Sequence, residues 1–116
     1  MGYAFDNCSN LEVILELDMS SCVHHHSAFD GCSKLRYMKV TNIGKATTQY
    51  KFATLSSWGT GGEENRQSLI DSLITYSYDR VSNGMATATI TLSANTKALL
   101  TEEEIAQITA KGFTIA

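Results

Sequence analysis

The segment AFDNCSNLEVI at positions 4–14 returns 24 residues later as AFDGCSKLRYM at positions 28–38. Ala4/Ala28, Phe5/Phe29, Asp6/Asp30, Cys8/Cys32, Ser9/Ser33 and Leu11/Leu35 are identical between the copies, and Ile14/Met38 keep apolar character. A period of this size marks a solenoid, in which each unit buries its apolar face only against the next. With 116 residues, 43% of them hydrophobic, the chain has material for one domain rather than two. The expectation is a single α/β solenoid over 1–116 with a mostly parallel, one-sided sheet and helices concentrated in the C-terminal half. About four or five coils would make a stack roughly 20–25 Å long.

No proline breaks the chain, so glycine and hydrophobic period parse it. Residues 3–44 hold the two repeats, each closing on a short apolar strand, Leu11 to Leu17 or Leu35 to Val40. Residues 45–65 read as an irregular loop region: a strand at Gln49 to Leu55, then SSWGTGGEEN, where Gly59, Gly61 and Gly62 make a flexible loop. Two glutamates follow those glycines and would repel an anion, which argues against a phosphate cradle. Residues 66–116 read as helix–strand–helix–strand. Leu69, Leu73 and Tyr76 share one helical face and Ile70, Ile74 and Ser77 the next, with Glu63 and Glu64 before and Gly84 after, which predicts a helix from about Arg66 to Val81. In TATITL at 87–92, polar Thr87, Thr89 and Thr91 alternate with Ala88, Ile90 and Leu92, the pattern of a strand with one buried face. Thr101 and Glu104 form a capping box with Leu100 and Ile105 as its hydrophobic staple, so a second helix should run to about Lys111, capped by Gly112. FTIA at 113–116 is the last strand. Ile90 to Phe113 and Leu92 to Ile115 are both offsets of 23, close to the repeat period.

Several functional classes recede on composition. A net charge of −3, with nine Lys and Arg scattered along the chain, lacks the electrostatic footprint of a nucleic-acid binder. The longest apolar runs are a few residues, so no membrane span is expected, and MGYAFD has no secretory character; a signal would lie upstream. Three cysteines cannot all pair within one chain, and Cys8 and Cys32 share a repeat position, which favours buried thiols. Stacked about 5 Å apart, Cys8 and Cys32 could be oxidised where geometry allows.

The metal candidates are weak. His24, His25 and His26 lie between Cys22 and Cys32, yet adjacent histidines in extended chain point to opposite faces, so at most His24 and His26 converge, and the CxxC or HxxxH pairings that hold zinc are missing. No cofactor is expected. A reactive Cys22 would need an electropositive setting and an orienting group that the sequence does not supply. Glu102 to Glu104 sit in the first turn of a helix and read as a cap rather than an acid/base pair. Of the aromatic residues, Trp58 is the best recognition candidate, with a core-covering role under its loop as the competing reading; Tyr37 lies in a strand where either face is open. Glu12, Arg36, Lys39, Thr89 and Thr91 are the strand positions expected to face outward, where solenoid sheets bind partners.

The doubled Ala-Phe-x-x-Cys-x-x-Leu, at Ala4 to Leu11 and Ala28 to Leu35, resembles the BspA-like leucine-rich repeats of bacterial surface proteins. Asp18, Ser20, Val23, Phe29 and Cys32 echo a related variant, and SLIDSLITYSYDR with TITLSANTKALLTEEEIAQITAKGFTIA is similar to segments that close such arrays in gut bacteria and their phages. The resemblance implies a leucine-rich-repeat solenoid associated with adhesion and not with catalysis. Two departures stand out: the three histidines replace an apolar and small-polar run, and Glu16 stands where the second strand has Val40, which predicts a register shift or bulge.

The expected function is thus a non-enzymatic protein-interaction module of the adhesion type, the C-terminal part of a longer surface or phage protein, binding a protein or cell-surface ligand. The competing reading is a structural spacer or terminal cap with no ligand of its own; an enzyme, hydrolase-like or metal-dependent, lacks a catalytic constellation. Because the chain opens inside a repeat at Tyr3, Ala4 and Phe5, self-association through the N-terminal coil is also expected.

Overall fold

The structure, a computed structural model, describes residues 10–21, 29 and 31–116. The described residues are mixed α/β, with five short strands among them in two parallel sheets rather than the single sheet expected. Strand β1 (Val13–Asp18) pairs with β2 (Tyr37–Thr41); β3 (Gln49–Phe52), β4 (Ala88–Leu92) and β5 (Phe113–Ile115) form the second sheet in that order.

The two repeats lay their strands side by side in parallel. Val13 faces Tyr37 and Ile14 faces Met38 at the repeat offset of 24, and then Leu17 faces Val40 and Asp18 faces Thr41 at 23, with a bulge between. The extra residue in β1 is the irregularity that Glu16 implied. Beyond β1, the Nδ2 of Asn42 donates to Asp18 Oδ1 (2.8 Å), again 24 positions away. Asp18 also accepts from the Ser20 backbone N–H (2.9 Å), so the Asp-x-Ser element forms a side-chain turn that ends the strand.

The turn that Cys32 makes on Phe29 then recurs within the stretch whose sequence predicts an irregular loop region. Phe52, Leu55 and Trp58 lie 23 residues after Phe29, Cys32 and Leu35 and make the same turn: Cys32 N–H donates to Phe29 O at 3.1 Å, and Leu55 N–H to Phe52 O at 3.0 Å. All six are buried, and the Phe29 and Phe52 rings stand 6.0 Å apart. Gly59 N–H then reaches Arg36 O (2.8 Å), as a strand entering beside β2 would. No strand follows. The chain turns through Gly61 and Gly62 into helix α1 (Glu63–Ile70), which takes the place of a strand along β2.

Serine hydroxyls make that substitution work. Met38 N–H donates to Ser68 Oγ (3.3 Å) and Val40 N–H to Ser72 Oγ (2.8 Å), while Met38 O accepts from Trp58 Nε1 (3.1 Å) and Ser72 Oγ (3.2 Å). A buried strand edge must find partners for its amides, and here side chains supply them. The helix departs from expectation accordingly. It starts at Glu63 rather than Arg66, and after Ile70 it widens into a π turn over Asp71–Thr75, closed by Tyr76 N–H on Asp71 O, ending well short of Val81. The inserted residue shifts the phase of the buried stripe. Leu69 and Leu73 remain in the core, but Tyr76, expected on the same face, emerges 38% exposed. Gly84 belongs to a separate turn in which Asp79 accepts from Ser82 N–H (3.0 Å).

The C-terminal elements follow the sequence more closely. In β4, Ala88, Ile90 and Leu92 are buried and Thr89 and Thr91 half-buried. Helix α2 (Ala94–Lys97), which the sequence reading missed, is capped by Ser93, whose Oγ accepts from Thr96 N–H (3.1 Å). Helix α3 (Glu102–Ala110) carries the complete Thr101/Glu104 capping box, and Gly112 adopts φ of 100° beyond its end. The last strand is in a different register from that expected: Ala88 faces Phe113 and Ile90 faces Ile115, an offset of 25 instead of 23. Offsets that differ by two keep the same face inward, so alternation alone cannot choose between them. Close packing does: the Phe113 ring fills the space beside Gly44, where a Cβ would lie 2.4 Å from Cζ.

Buried Arg80 ties this end together. Its guanidinium donates to the carbonyls of Gly44, Thr47 and Ala86, with no carboxylate partner among the described residues. Lys111 Nζ donates to Ile74 O (2.5 Å) and Ser77 O (2.6 Å), satisfying carbonyls at the end of the π turn.

Candidate functional site

The outward side chains of β1 and β2 form the most distinctive surface. The face inward from this sheet is set by Ile14, Met38 and Val40, so Val13 and Tyr37, paired in register, point the other way together with Lys39. The bulge leaves both Leu15 and Glu16 exposed. Leu15 is 77% and Val13 47% exposed, a heavy apolar load for adjacent outward positions. Lys39 Nζ lies 3.7 Å from Glu16 Oε1 and 4.5 Å from the centre of the Tyr76 ring, so the patch continues from Leu15 through the ion pair to an exposed aromatic. Three of the five large hydrophobic side chains exposed among the described residues, Val13, Leu15 and Tyr76, gather here.

Val13, Leu15 and Tyr37 also line a groove of about 240 Å³, closed at one side by Glu64 and Asn65 from the first turn of α1. Its polar edge is specific: Asn65 Nδ2 is committed to Thr60 O (2.9 Å), and Glu64 makes no ion pair among the described residues.

The residues singled out from the sequence divide. Tyr37 and Lys39 belong to this face, with exposed Arg36 at its margin beside Gly61. Thr89 and Thr91 are half-buried on β4 in the other sheet and do not join them. Trp58 is fully buried: its ring packs edge-on against Phe52 (centroids 5.3 Å) and its Nε1 is spent on Met38, so it serves as core and not as a surface anchor. The loop carrying it is therefore pinned at Trp58 and Gly59, where an added Cβ would press on Leu69 at 2.9 Å, while Gly61 and Gly62 stay exposed. His24 and His26 lie outside the described residues, as do Cys8, Cys22 and the Tyr3–Phe5 segment expected to self-associate; Cys32 is buried. Among the described residues no three of His, Cys, Asp and Glu converge as a metal site, and no helix is long and apolar enough to cross a membrane.

Leu15, Val13 and Glu64 were missed as site residues. The bulge signal at Glu16 was the clue to Leu15, since an inserted residue turns its neighbours out of the alternation. Nothing in the local sequence joins Glu64 to β1.

The carboxylates elsewhere do structural work. The Asn42 amide and the Ser20 N–H and hydroxyl hold the Asp18 carboxyl below its ordinary range. Burial would raise Glu104, but hydrogen bonds from Thr101 N–H (2.9 Å) and from Arg66 outweigh it, and its carboxyl titrates below 4.5. Arg66 also donates to Leu99 O (3.2 Å), so the capping box of α3 is braced by α1.

No family model, curated protein or solved structure matches the chain.

Proposed function

We propose that this chain is a non-enzymatic protein-interaction module of the adhesion type: a length of BspA-like leucine-rich array from a longer surface or phage protein, with the outer face of β1 and β2 as its recognition surface. The observation that carries the reading is the contiguous run of Val13, Leu15, Tyr37, Lys39 and Tyr76 on the strand side, because a soluble chain rarely leaves such side chains together in water without a use for them. The 24- and 23-residue spacings of the paired strands and of the Phe29 and Phe52 turns are consistent with the array.

A second reading, a cap that closes a repeat array, is favoured by Ser68 and Ser72, which seal the β2 edge where a further strand would pair. The two separate by experiment. Binders selected from an unbiased display library against the folded chain should include a class that loses at least tenfold in affinity to Leu15→Ser. A binder set wholly indifferent to Leu15→Ser and Tyr37→Ser would remove the interaction reading and leave the cap.

A further inference from the structure

Resting on the reading of the β1–β2 face as an interaction surface, we infer that its groove takes an extended protein segment that presents an apolar side chain with a lysine or arginine two positions away. The groove's volume of about 240 Å³ is below the roughly 300–1,000 Å³ of small-molecule sites and suits one or two side chains. Val13, Leu15 and Tyr37 supply an apolar wall, so an apolar side chain fills it. The charge of the partner follows from what the wall leaves unpaired. Lys39 is paired with Glu16 and lies over the Tyr76 ring, Arg66 is engaged by Glu104 and Glu63, and Arg36, exposed beside Gly61, stands at the margin of the face outside the groove's lining. Among the described residues, the charged group that lines the groove without an ion pair is the Glu64 carboxylate. Residues i and i+2 of an extended chain share a face, so an apolar residue in the groove brings a long cationic side chain at i+2 toward Glu64. An acidic residue there would meet Glu64 in repulsion, which gives the surface a sign preference as well as an apolar one.

Capped pentapeptides Thr-Leu-Thr-Lys-Thr, Thr-Leu-Thr-Gln-Thr and Thr-Leu-Thr-Glu-Thr test this by amide chemical-shift titration of the intact chain at low salt. The lysine peptide should bind about two- to five-fold more tightly than the glutamine peptide, the scale of one exposed ion pair, and the glutamate peptide more weakly than either. The order should collapse in about 1 M salt and in Glu64→Gln, which is exposed and leaves the fold intact, while Leu15→Ser should weaken all three. Equal binding of the three peptides at the face would overturn the cationic partner and leave the recognition surface standing. Absence of shifts at Val13, Leu15 and Tyr37 with every peptide at millimolar concentration would overturn both. Concentration-dependent shifts at those residues without peptide, abolished by Leu15→Ser, would assign the groove to a second copy and likewise overturn the inference.

Discussion

Replacing Ser72 with alanine removes one oxygen from the core, and the structure says what that oxygen does. Ser72 is fully buried; its Oγ accepts from Val40 N–H (2.8 Å) and directs its single proton toward Ser68 O (2.7 Å) and Met38 O (3.2 Å). Met38 O keeps the Trp58 indole N–H (3.1 Å) when Ser72 is truncated, but Val40 N–H, on a fully buried residue, keeps nothing. A buried amide left without an acceptor costs about 1–3 kcal/mol. For a domain of this size that is a fall of roughly 4–12 °C in melting temperature, or a lower urea midpoint at unchanged slope. Ser77→Ala is the control, because the Ser77 hydroxyl only donates back to Leu73 O (2.8 Å) and Ile74 O (3.3 Å) in the preceding turn and its loss strands no N–H. Amide exchange supplies the local readout, with Val40 losing protection in Ser72→Ala and keeping it in Ser77→Ala. If the two variants melt together and Val40 stays protected in both, serine hydroxyls are not what holds the helix to the strand edge.

The other expectations rest on different parts of the fold. Gly44→Ala should unfold the chain or cost more than about 2 kcal/mol, since its φ is +102° and the new Cβ would lie 2.4 Å from the Phe113 ring, whereas Gly84→Ala, at φ of +65° with open space around it, should cost about 1 kcal/mol by thermal melting. Thr101→Ala should cost about 1 kcal/mol through loss of the α3 cap. Because the Glu104 carboxyl titrates below its ordinary 4.5, its contribution is fully present above that value and is lost as pH falls through the folded-state value; Glu104→Gln should flatten this part of the acid unfolding curve. Lys111→Met should lower stability by about 1–3 kcal/mol, measured in urea, by leaving Ile74 O and Ser77 O without their ammonium donor.

What was legible in the sequence had a local cause. The capping box needs only Thr101 and Glu104 three residues apart, and β4 only the alternation of threonine with Ala88, Ile90 and Leu92. The pairing of β1 with β2 was readable because two units sharing one motif place equivalent positions side by side, and even the bulge left a trace in Glu16. What was hidden depended on distant partners. Phe52, Leu55 and Trp58 repeat the buried pattern of Phe29, Cys32 and Leu35 with only the phenylalanine retained, so the unit is visible in its turn and not in its letters. The π turn left no mark in the letters either: Ser68, Leu69, Ser72 and Leu73 fit a regular helix, and the amides that Ser68 and Ser72 serve, those of Met38 and Val40, lie some thirty residues earlier.

That edge also explains why a groove exists. Were a third strand to follow Trp58 and Gly59, it would pair with β2 and extend the flat outer face past Tyr37. The chain instead enters α1 immediately after Gly61 and Gly62, and a helix, about 10 Å across with its side chains, is far thicker than the 4.8 Å spacing of a strand. One surface of α1 serves the β2 amides through Ser68, and its first turn stands beside the outer face and contributes Glu64 and Asn65 as a wall. Closing the sheet and framing the groove are thus two consequences of one substitution of helix for strand. A variant that loosens α1 should impair both together: Ser72→Ala, though remote from Glu64 and fully buried, should weaken peptide binding at Leu15 in proportion to the exchange it permits at Val40, and a binding constant unmoved by that loosening would separate the groove from the edge.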